Sequence, residues 1–96
     1  MKFLAIINVA NSADLQSIRN DLANELKASW KLFASGILRE AYVTDLPTRV
    51  VFIIETDGHA QAEACLRGLP LIGSGSLVFD LVELHPFVNW SLLFAR

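Results

Sequence analysis

The stretch "ILREAYVTDLPTRVVFIIET", residues 37–56, decides the fold. It holds two runs rich in β-branched and aromatic side chains, at 37–44 and 49–56, and such runs are typical of strands. Only the four residues "DLPT" at 45–48 separate them. A connection this short joins antiparallel neighbours, so the stretch predicts a β-hairpin at the middle of the chain.

One strand and one helix flank the hairpin on each side. In the first helix the apolar residues from Leu15 to Phe33 recur at intervals of three and four, and Ser12 or Asp14 precedes them as a candidate N-cap. Asp57 is the corresponding candidate for the second helix. The predicted elements are a strand at 2–9, a helix at 15–34, the strands at 37–44 and 49–56, a helix at 59–67 and a strand at 76–85.

This order predicts a ferredoxin-like α+β fold, a βαββαβ chain with a four-stranded antiparallel sheet and two helices on one face. The helices leave the second sheet face bare. Because the strands read as apolar on both faces, a second copy is expected to cover that face, pairing sheet to sheet into a dimeric α+β barrel.

Composition supports self-association. The chain has 96 residues, of which 53% are hydrophobic and 19% charged, and a domain this small has a thin core. The domain is predicted to span 1–87. The C-terminal tail, 88–96, is too apolar for the space left on its own domain and is expected to cross to a partner subunit.

Charge and cysteine content exclude several classes of protein. A net charge of −2 without a basic cluster argues against nucleic-acid binding. The single cysteine requires no oxidising compartment, which favours the cytoplasm, and no apolar run is long enough to span a membrane. His59, Cys65 and His85 lack paired ligand spacing, so no metal site is predicted.

The glycine-rich stretch "RGLPLIGSGSL" (67–77) resembles a phosphate-binding loop only in composition. Such a loop follows a strand and opens a helix. Here the order is reversed, because Gly68 closes the second helix and Gly73 and Gly75 lead into the last strand. Pro70 is expected to prevent the second helix from continuing, so the stretch is interpreted as a helix stop followed by a turn.

Three further stretches carry a family resemblance: "SGILREAY" (35–42), "LPL" (69–71) and "VELHPF" (82–87). With them the chain resembles the muconolactone isomerase-like branch of the dimeric α+β barrel superfamily, which also includes the YCII-like proteins. The resemblance implies tight dimers, often assembled into rings, no cofactor, and a pocket between the first helix and the sheet. It also implies a proton-transferring carboxylate at Glu25 and a strand arginine at Arg39.

The residues themselves leave both roles open. Glu25 lies at the margin of the apolar stripe of the first helix, which suits either a pocket rim or an ordinary exposed glutamate. Strand alternation places Arg39 on an apolar face with Ala41 and Val43, where a guanidinium needs a partner. That partner is either a ligand carboxylate or an internal acid, Glu55 or Asp80.

Five other residues complete the candidate site. Asp80 interrupts the apolar run "LVFDLV" and is expected to be either ion-paired or a buried acid with a raised pKa. His85 ends the last strand and is expected to assist catalysis. Trp30 and Phe33 are expected in the core or lining a cavity. Tyr42, on the strand face opposite Arg39, is a candidate contact with a ligand or with a neighbouring subunit.

The sequence therefore predicts an oligomer with an apolar pocket for a small organic acid or lactone. If it is an enzyme, it is a cofactor-free isomerase with Glu25 as base, Arg39 holding a carboxylate, and Asp80 or His85 assisting. The alternative is a non-catalytic ligand-binding or assembly protein of the same fold.

Overall fold

A computed structural model describes residues 1–95 of the chain. Its elements are β1 (Lys2–Val9), α1 (Leu15–Ala34), β2 (Leu38–Thr44), β3 (Arg49–Glu55), α2 (His59–Arg67), α3 (Pro70–Gly73), β4 (Leu77–Leu84) and a 3₁₀ helix, Asn89–Phe94. The strands form one antiparallel sheet in the order β2-β3-β1-β4. The predicted ferredoxin-like α+β fold is confirmed. None of the helices within residues 1–95 has the length and hydropathy needed to cross a lipid bilayer.

Local signals explain most of the boundaries. Asp14 is the N-cap of α1, and its carboxylate accepts the Gln16 N–H at 3.1 Å. Between α1 and β2 the chain turns at Gly36, whose φ of +86° lies in the left-handed region that glycine adopts without strain.

One prediction at the second helix is wrong. Gly58, not Asp57, is the N-cap of α2, and it offers no side-chain acceptor. The predicted stop is confirmed, because α2 ends at Arg67 with Gly68 as its C-cap. The stretch after it is not only a turn, since Pro70 begins the separate one-turn helix α3; proline lacks the N–H that a first helical residue leaves unpaired anyway.

The core lies between the sheet and the short helices α2 and α3. The inward side chains of β1 and β3 alternate strictly, and α2 and α3 pack on them. The buried hydrophobic residues are Phe3, Ala5, Ile7, Leu38, Phe52, Ile54, Ala62, Leu66, Leu69, Leu71 and Ile72. Each fully buried aliphatic or aromatic side chain contributes about 1.5–3 kcal/mol.

Helix α1 contributes little to this core. Trp30 and Phe33 are 65% and 48% exposed, so the alternative that placed them in the core is wrong. Leu15, Leu22 and Leu26 on the same helix are also exposed. The physical reason is a cavity between the N-terminal three turns of α1 and the sheet, which holds the apolar stripe away from β1 and β3.

The second face of the sheet is open, as the fold requires. In the register of the strands, Leu4 and Ile6 of β1 share this open face with Val51 and Ile53 of β3 and with Val82 of β4. The open face is therefore apolar along the two central strands, β1 and β3, and at Val82 of the edge strand β4.

Candidate functional site

The principal candidate site is the cavity between α1 and the sheet, which we name the Glu25 cavity. Its volume is about 600 Å³, within the range of small-molecule sites. Its polar lining groups are Glu25, Ser29, Tyr42 and Thr48, and the remaining walls are Ile7, Ile18, Leu22, Leu26, Ala41, Val43, Val50, Phe52, Leu71 and Leu77. Among the lining residues Glu25 is the one charged side chain.

Glu25 is the residue whose environment is most unusual. It is 9% exposed, so the interpretation as an ordinary exposed glutamate is wrong. One carboxylate oxygen, Oε1, accepts the Leu71 N–H of α3 at 2.8 Å. Burial raises the pKa of Glu25, the hydrogen bond from Leu71 partly offsets this, and the nearby Asp21 charge raises the pKa further. A carboxylate whose pKa is raised gains basicity, so Glu25 can accept a proton and return it.

An open aromatic groove continues from the Glu25 cavity toward the C-terminal end of α1. The groove has a volume of about 390 Å³ and shares Leu26, Ser29, Ala41 and Phe52 with the cavity. Trp30 and Phe33 stack on each other at its edge, with ring centroids 5.4 Å apart. Both residues thus line a cavity, as one of the two sequence interpretations expects.

Tyr42 borders the Glu25 cavity, but in the strand register it lies opposite Val51, so its side chain is on the open sheet face. It donates a hydrogen bond to the Glu40 carboxylate two residues away. This hydrogen bond and the Glu40 charge raise the pKa of Tyr42. The phenol therefore stays protonated.

Arg39 lies outside both cavities. A β-bulge places Leu38 opposite Ile54 and Glu40 opposite Ile53, so Arg39 is the extra residue of the pair. The predicted shared face with Ala41 and Val43 is therefore wrong, because the bulge shifts the alternation.

The Arg39 guanidinium is also not ion-paired as expected. It is exposed and donates to the Gly36 carbonyl. Within residues 1–95, no acidic side chain lies within ion-pair distance of it, so the expected pairing with Glu55 or Asp80 does not form.

Asp80 and His85 are separated from Glu25. Asp80 pairs in register with Ile6 on the open face and is exposed, because the helices cover only the other face. His85 follows the end of β4, where its Nε2 lies 2.9 Å from the Glu83 carboxylate. The structure thus places Glu25 in the cavity and Trp30 and Phe33 in the adjoining groove, and leaves Asp80 and His85 on other surfaces.

The residues that sequence reasoning missed are Ser29, Thr48 and the backbone N–H of Leu71. The sequence did carry a signal for the Leu71 N–H. Pro70 directly precedes Leu71, and proline is a common first residue of a helix, where the following N–H has no partner within the helix. Ser29 and Thr48 carry no such signal, because their approach to the cavity depends on the separation between α1 and the sheet.

Comparison with known proteins shows the fold of this chain but does not show its family. No family model matches the chain, and no curated protein matches it. The chain is similar to a solved structure, the 5-chloro-2-hydroxyhydroquinone dehydrochlorinase of Burkholderia phenoliruptrix AC1100 in complex with 2,5-dihydroxybenzoquinone. The TM-score is 0.71 at 17% identity, over 88% of this chain and 94% of that chain. The likeness supports the ferredoxin-like α+β fold of the single chain.

Proposed function

We propose that the protein binds a small, uncharged ring compound in the Glu25 cavity and that Glu25 transfers a proton on it. The observation that carries the proposal is a buried carboxyl group in a cavity of about 600 Å³ with otherwise uncharged walls. A carboxyl group with a raised pKa is a competent general acid and base.

The charge of the cavity refines the ligand class. A ligand carboxylate would face the Glu25 carboxylate in an apolar surrounding, where two like charges repel strongly. Arg39, the group expected to hold a ligand carboxylate, does not line the cavity. A lactone or a hydroxylated aromatic ring fits better. A ring hydroxyl can donate to the Glu25 carboxylate, a lactone carbonyl can accept from the protonated Glu25, and either ring contacts the aliphatic walls. The fold neighbour's complex with a dihydroxybenzoquinone supports the same ligand class.

The proposed chemistry needs no change in oxidation state. Glu25 would accept a proton from a carbon next to a carbonyl, leaving an enolate, and return that proton at another carbon of the same conjugated system. The net result is an isomerisation in which the bonds broken and formed are both C–H bonds. The role of Glu25 follows the family resemblance, while the Arg39 clamp and the help of Asp80 or His85 are not part of this proposal.

The test uses exchange and binding together. Wild-type protein is mixed with a panel of butenolides and hydroxylated quinones in D₂O, and deuterium incorporation is followed by NMR. We expect exchange at the carbon next to the carbonyl for at least one compound, and its loss in Glu25→Gln by at least about 10²-fold. The matched control is Glu63→Gln on the outer surface of α2, which should exchange as wild type does.

A non-catalytic binding protein is the second candidate. The hydrogen bond from Leu71 favours it, because it gives Glu25 a structural role in joining α1 to α3. The same experiment separates the two: thermal stabilisation by a ligand with no exchange in the wild type supports a binding protein. Full exchange in Glu25→Gln contradicts the catalytic proposal.

The second part of the proposal is a homodimer, alone or in a ring of dimers. The open sheet face exposes an apolar surface, with Val82 48% and Val78 49% exposed. A second copy placed face to face at about 10 Å would bury this surface and close the barrel. Asp80 would then lie at the interface rather than in a catalytic site.

A further inference from the structure

One buried hydrogen bond joins the middle of α1 to α3. Glu25 Oε1 accepts the Leu71 N–H at 2.8 Å, and the two residues lie 46 positions apart in the chain. Among residues 1–95, no other side chain of α1 makes a hydrogen bond or an ion pair to a different element. The position of the Glu25 carboxyl group therefore depends on α3.

The Leu71 N–H belongs to a well-fixed part of the fold. Leu71 is 2% exposed, and Pro70 before it has a nearly fixed φ. The turn of α3 is closed by the Gly73 N–H, which donates to the Leu69 carbonyl at 2.8 Å. The carbonyl of Leu71 itself accepts the Ser74 hydroxyl at 3.1 Å. The Leu71 N–H therefore has a set direction before any ligand binds.

The two carboxyl oxygens of Glu25 have different surroundings. Oε1 accepts the Leu71 N–H, whereas Oε2 accepts no hydrogen bond from residues 1–95. Every buried side-chain oxygen or nitrogen within those residues has a hydrogen-bond partner, so Oε2 is accessible to solvent. Since Glu25 lines the Glu25 cavity, Oε2 is reached from that cavity. One oxygen is bound by the protein, and the other is available to a ligand.

A purely structural role for this hydrogen bond does not explain the carboxylate. A glutamine has almost the same shape as a glutamate, and its amide oxygen can accept the Leu71 N–H. It would do so without the cost of burying a charge. The titratable group of Glu25 is therefore more than the link between α1 and α3 requires.

We infer that Leu71 is a positioning residue for Glu25: its N–H holds Oε1 and thereby presents Oε2 to the ring compound as the atom that takes and returns the proton. The inference rests on the proposed proton transfer. As the C–H bond of the ligand breaks, an Oε2–H bond forms, and the electron pair of the C–H bond moves into the conjugated carbonyl system. The reverse step forms the new C–H bond and restores the carboxylate.

The physical reason is the rotational freedom of a carboxyl group. The last torsion of a glutamate side chain is broad, so a carboxyl group without a partner samples many orientations. Proton transfer requires the oxygen to lie within about 2.6–3.2 Å of its partner in a defined direction. The Leu71 N–H removes this freedom. Because the N–H does not contact the ligand, it should affect the rate of proton transfer and not the affinity.

The test removes this N–H and keeps the side chain. Leu71 is replaced by the α-hydroxy acid with the same side chain, which puts an ester oxygen in place of the N–H. The matched control is the same change at Ile72, whose N–H makes no hydrogen bond within residues 1–95. Each ester weakens one carbonyl acceptor of α3, so the two chains differ in the hydrogen bond to Glu25.

Both ester chains are compared with the wild type in the deuterium-exchange assay. The ester at Leu71 should lower kcat at least about 10-fold while KM changes less than about two-fold. The pH of half-maximal kcat should rise, because the N–H lowers the pKa of Glu25. Wild-type kcat with the Leu71 ester, or an equal loss with the Ile72 ester, would overturn the inference. Absence of exchange in the wild type would instead contradict the proposed function.

A titration without ligand tests the positioning independently of the proposed proton transfer. The carboxyl carbons of the glutamate side chains are isotopically labelled for NMR, and the Glu25 resonance is identified by its absence in Glu25→Gln. The Leu71 ester should raise the midpoint of the Glu25 titration, and the Ile72 ester should leave it unchanged. An unchanged midpoint with the Leu71 ester would overturn the inference whatever the exchange assay shows.

Glu25→Asp covers the case in which the ester-containing chain does not fold. The shorter side chain cannot both accept the Leu71 N–H and present an oxygen at the same place, so kcat should again fall at least about 10-fold. Wild-type kcat in Glu25→Asp would contradict the inference.

Discussion

At the scale of single residues, the environment of Glu25 carries the functional argument. Helical periodicity places Glu25 at the edge of an apolar stripe, but it does not reveal the degree of burial. The burial depends on α3, whose Leu71 N–H binds the carboxylate. The candidate residue was therefore predictable from the sequence and the resemblance, whereas its partner was not.

The raised pKa of Glu25 predicts a distinctive effect of pH on stability. Between the ordinary value of 4.5 and the raised value, the folded state holds more protons than the unfolded state. The contribution of Glu25 to the free energy of unfolding is therefore fully present below pH 4.5 and falls as pH rises through the folded-state pKa. Relative to Glu25→Gln, the wild type should lose stability over this window, as measured by urea unfolding at a series of pH values.

Glu63 provides a control of the opposite sign. Its hydrogen bond and ion pair with Arg67 lower the pKa of Glu63. Relative to Glu63→Gln, the wild type should thus gain stability as pH rises toward 4.5 and keep it above that value. The difference in unfolding free energy between wild type and variant should therefore change with pH in opposite directions at the two sites. A change in the same direction at both sites would show that burial does not raise the pKa of Glu25.

The position of Arg39 predicts that it is dispensable for binding. Its side chain contacts the Gly36 carbonyl and lines neither the Glu25 cavity nor the aromatic groove. We expect Arg39→Ala to change the affinity of a bound ring compound less than two-fold, as measured by calorimetry. A loss of ten-fold or more would place the guanidinium on the ligand and contradict the cavity as described.

At the scale of elements, the hairpin and the helix periodicity were sufficient to predict the fold. The stretch at 37–56 predicts that β2 and β3 are antiparallel neighbours. In α1 the apolar residues recur at intervals of three and four, which indicates a helix. The sequence patterns did not predict the bulge at Arg39 or the separation of α1 from the sheet, although the family resemblance implied a pocket between α1 and the sheet. Both depend on contacts between distant residues, so local patterns carry no record of them.

The turn between α1 and β2 gives a prediction at this scale. Gly36 has a φ of +86°, and a Cβ built on it would meet no atom within 4 Å. Substitution by alanine should therefore cost only the strain of the left-handed backbone, about 1–2 kcal/mol of unfolding free energy. Gly36→Asn should cost less, because asparagine tolerates this conformation. Equal losses in urea unfolding would point to a steric cause instead.

At the scale of the whole molecule, the chain exposes three apolar surfaces: the open sheet face, the stripe on α1 and the C-terminal tail. A monomeric protein rarely exposes so much contiguous apolar surface. The composition alone predicted this surplus, but only the structure shows where it lies. The three surfaces together are the physical ground for the proposed homodimer.

A lysine on the open face should separate the copies. In the single chain Val82 is 48% exposed on the edge strand β4, so Val82→Lys leaves the chain's own core intact. In a face-to-face dimer the same lysine would be buried without a partner, at a cost of several kcal/mol. Sedimentation velocity should show dissociation for Val82→Lys and none for Gln61→Lys, with unchanged circular dichroism in both.

The most direct test of the whole account is the mass of the wild-type protein in dilute solution. Light scattering at micromolar concentration should give at least twice the chain mass of 10.6 kDa, and an even multiple if dimers assemble into a ring. A stable species of single-chain mass would show that the open sheet face and the tail need no second copy, and would contradict the account.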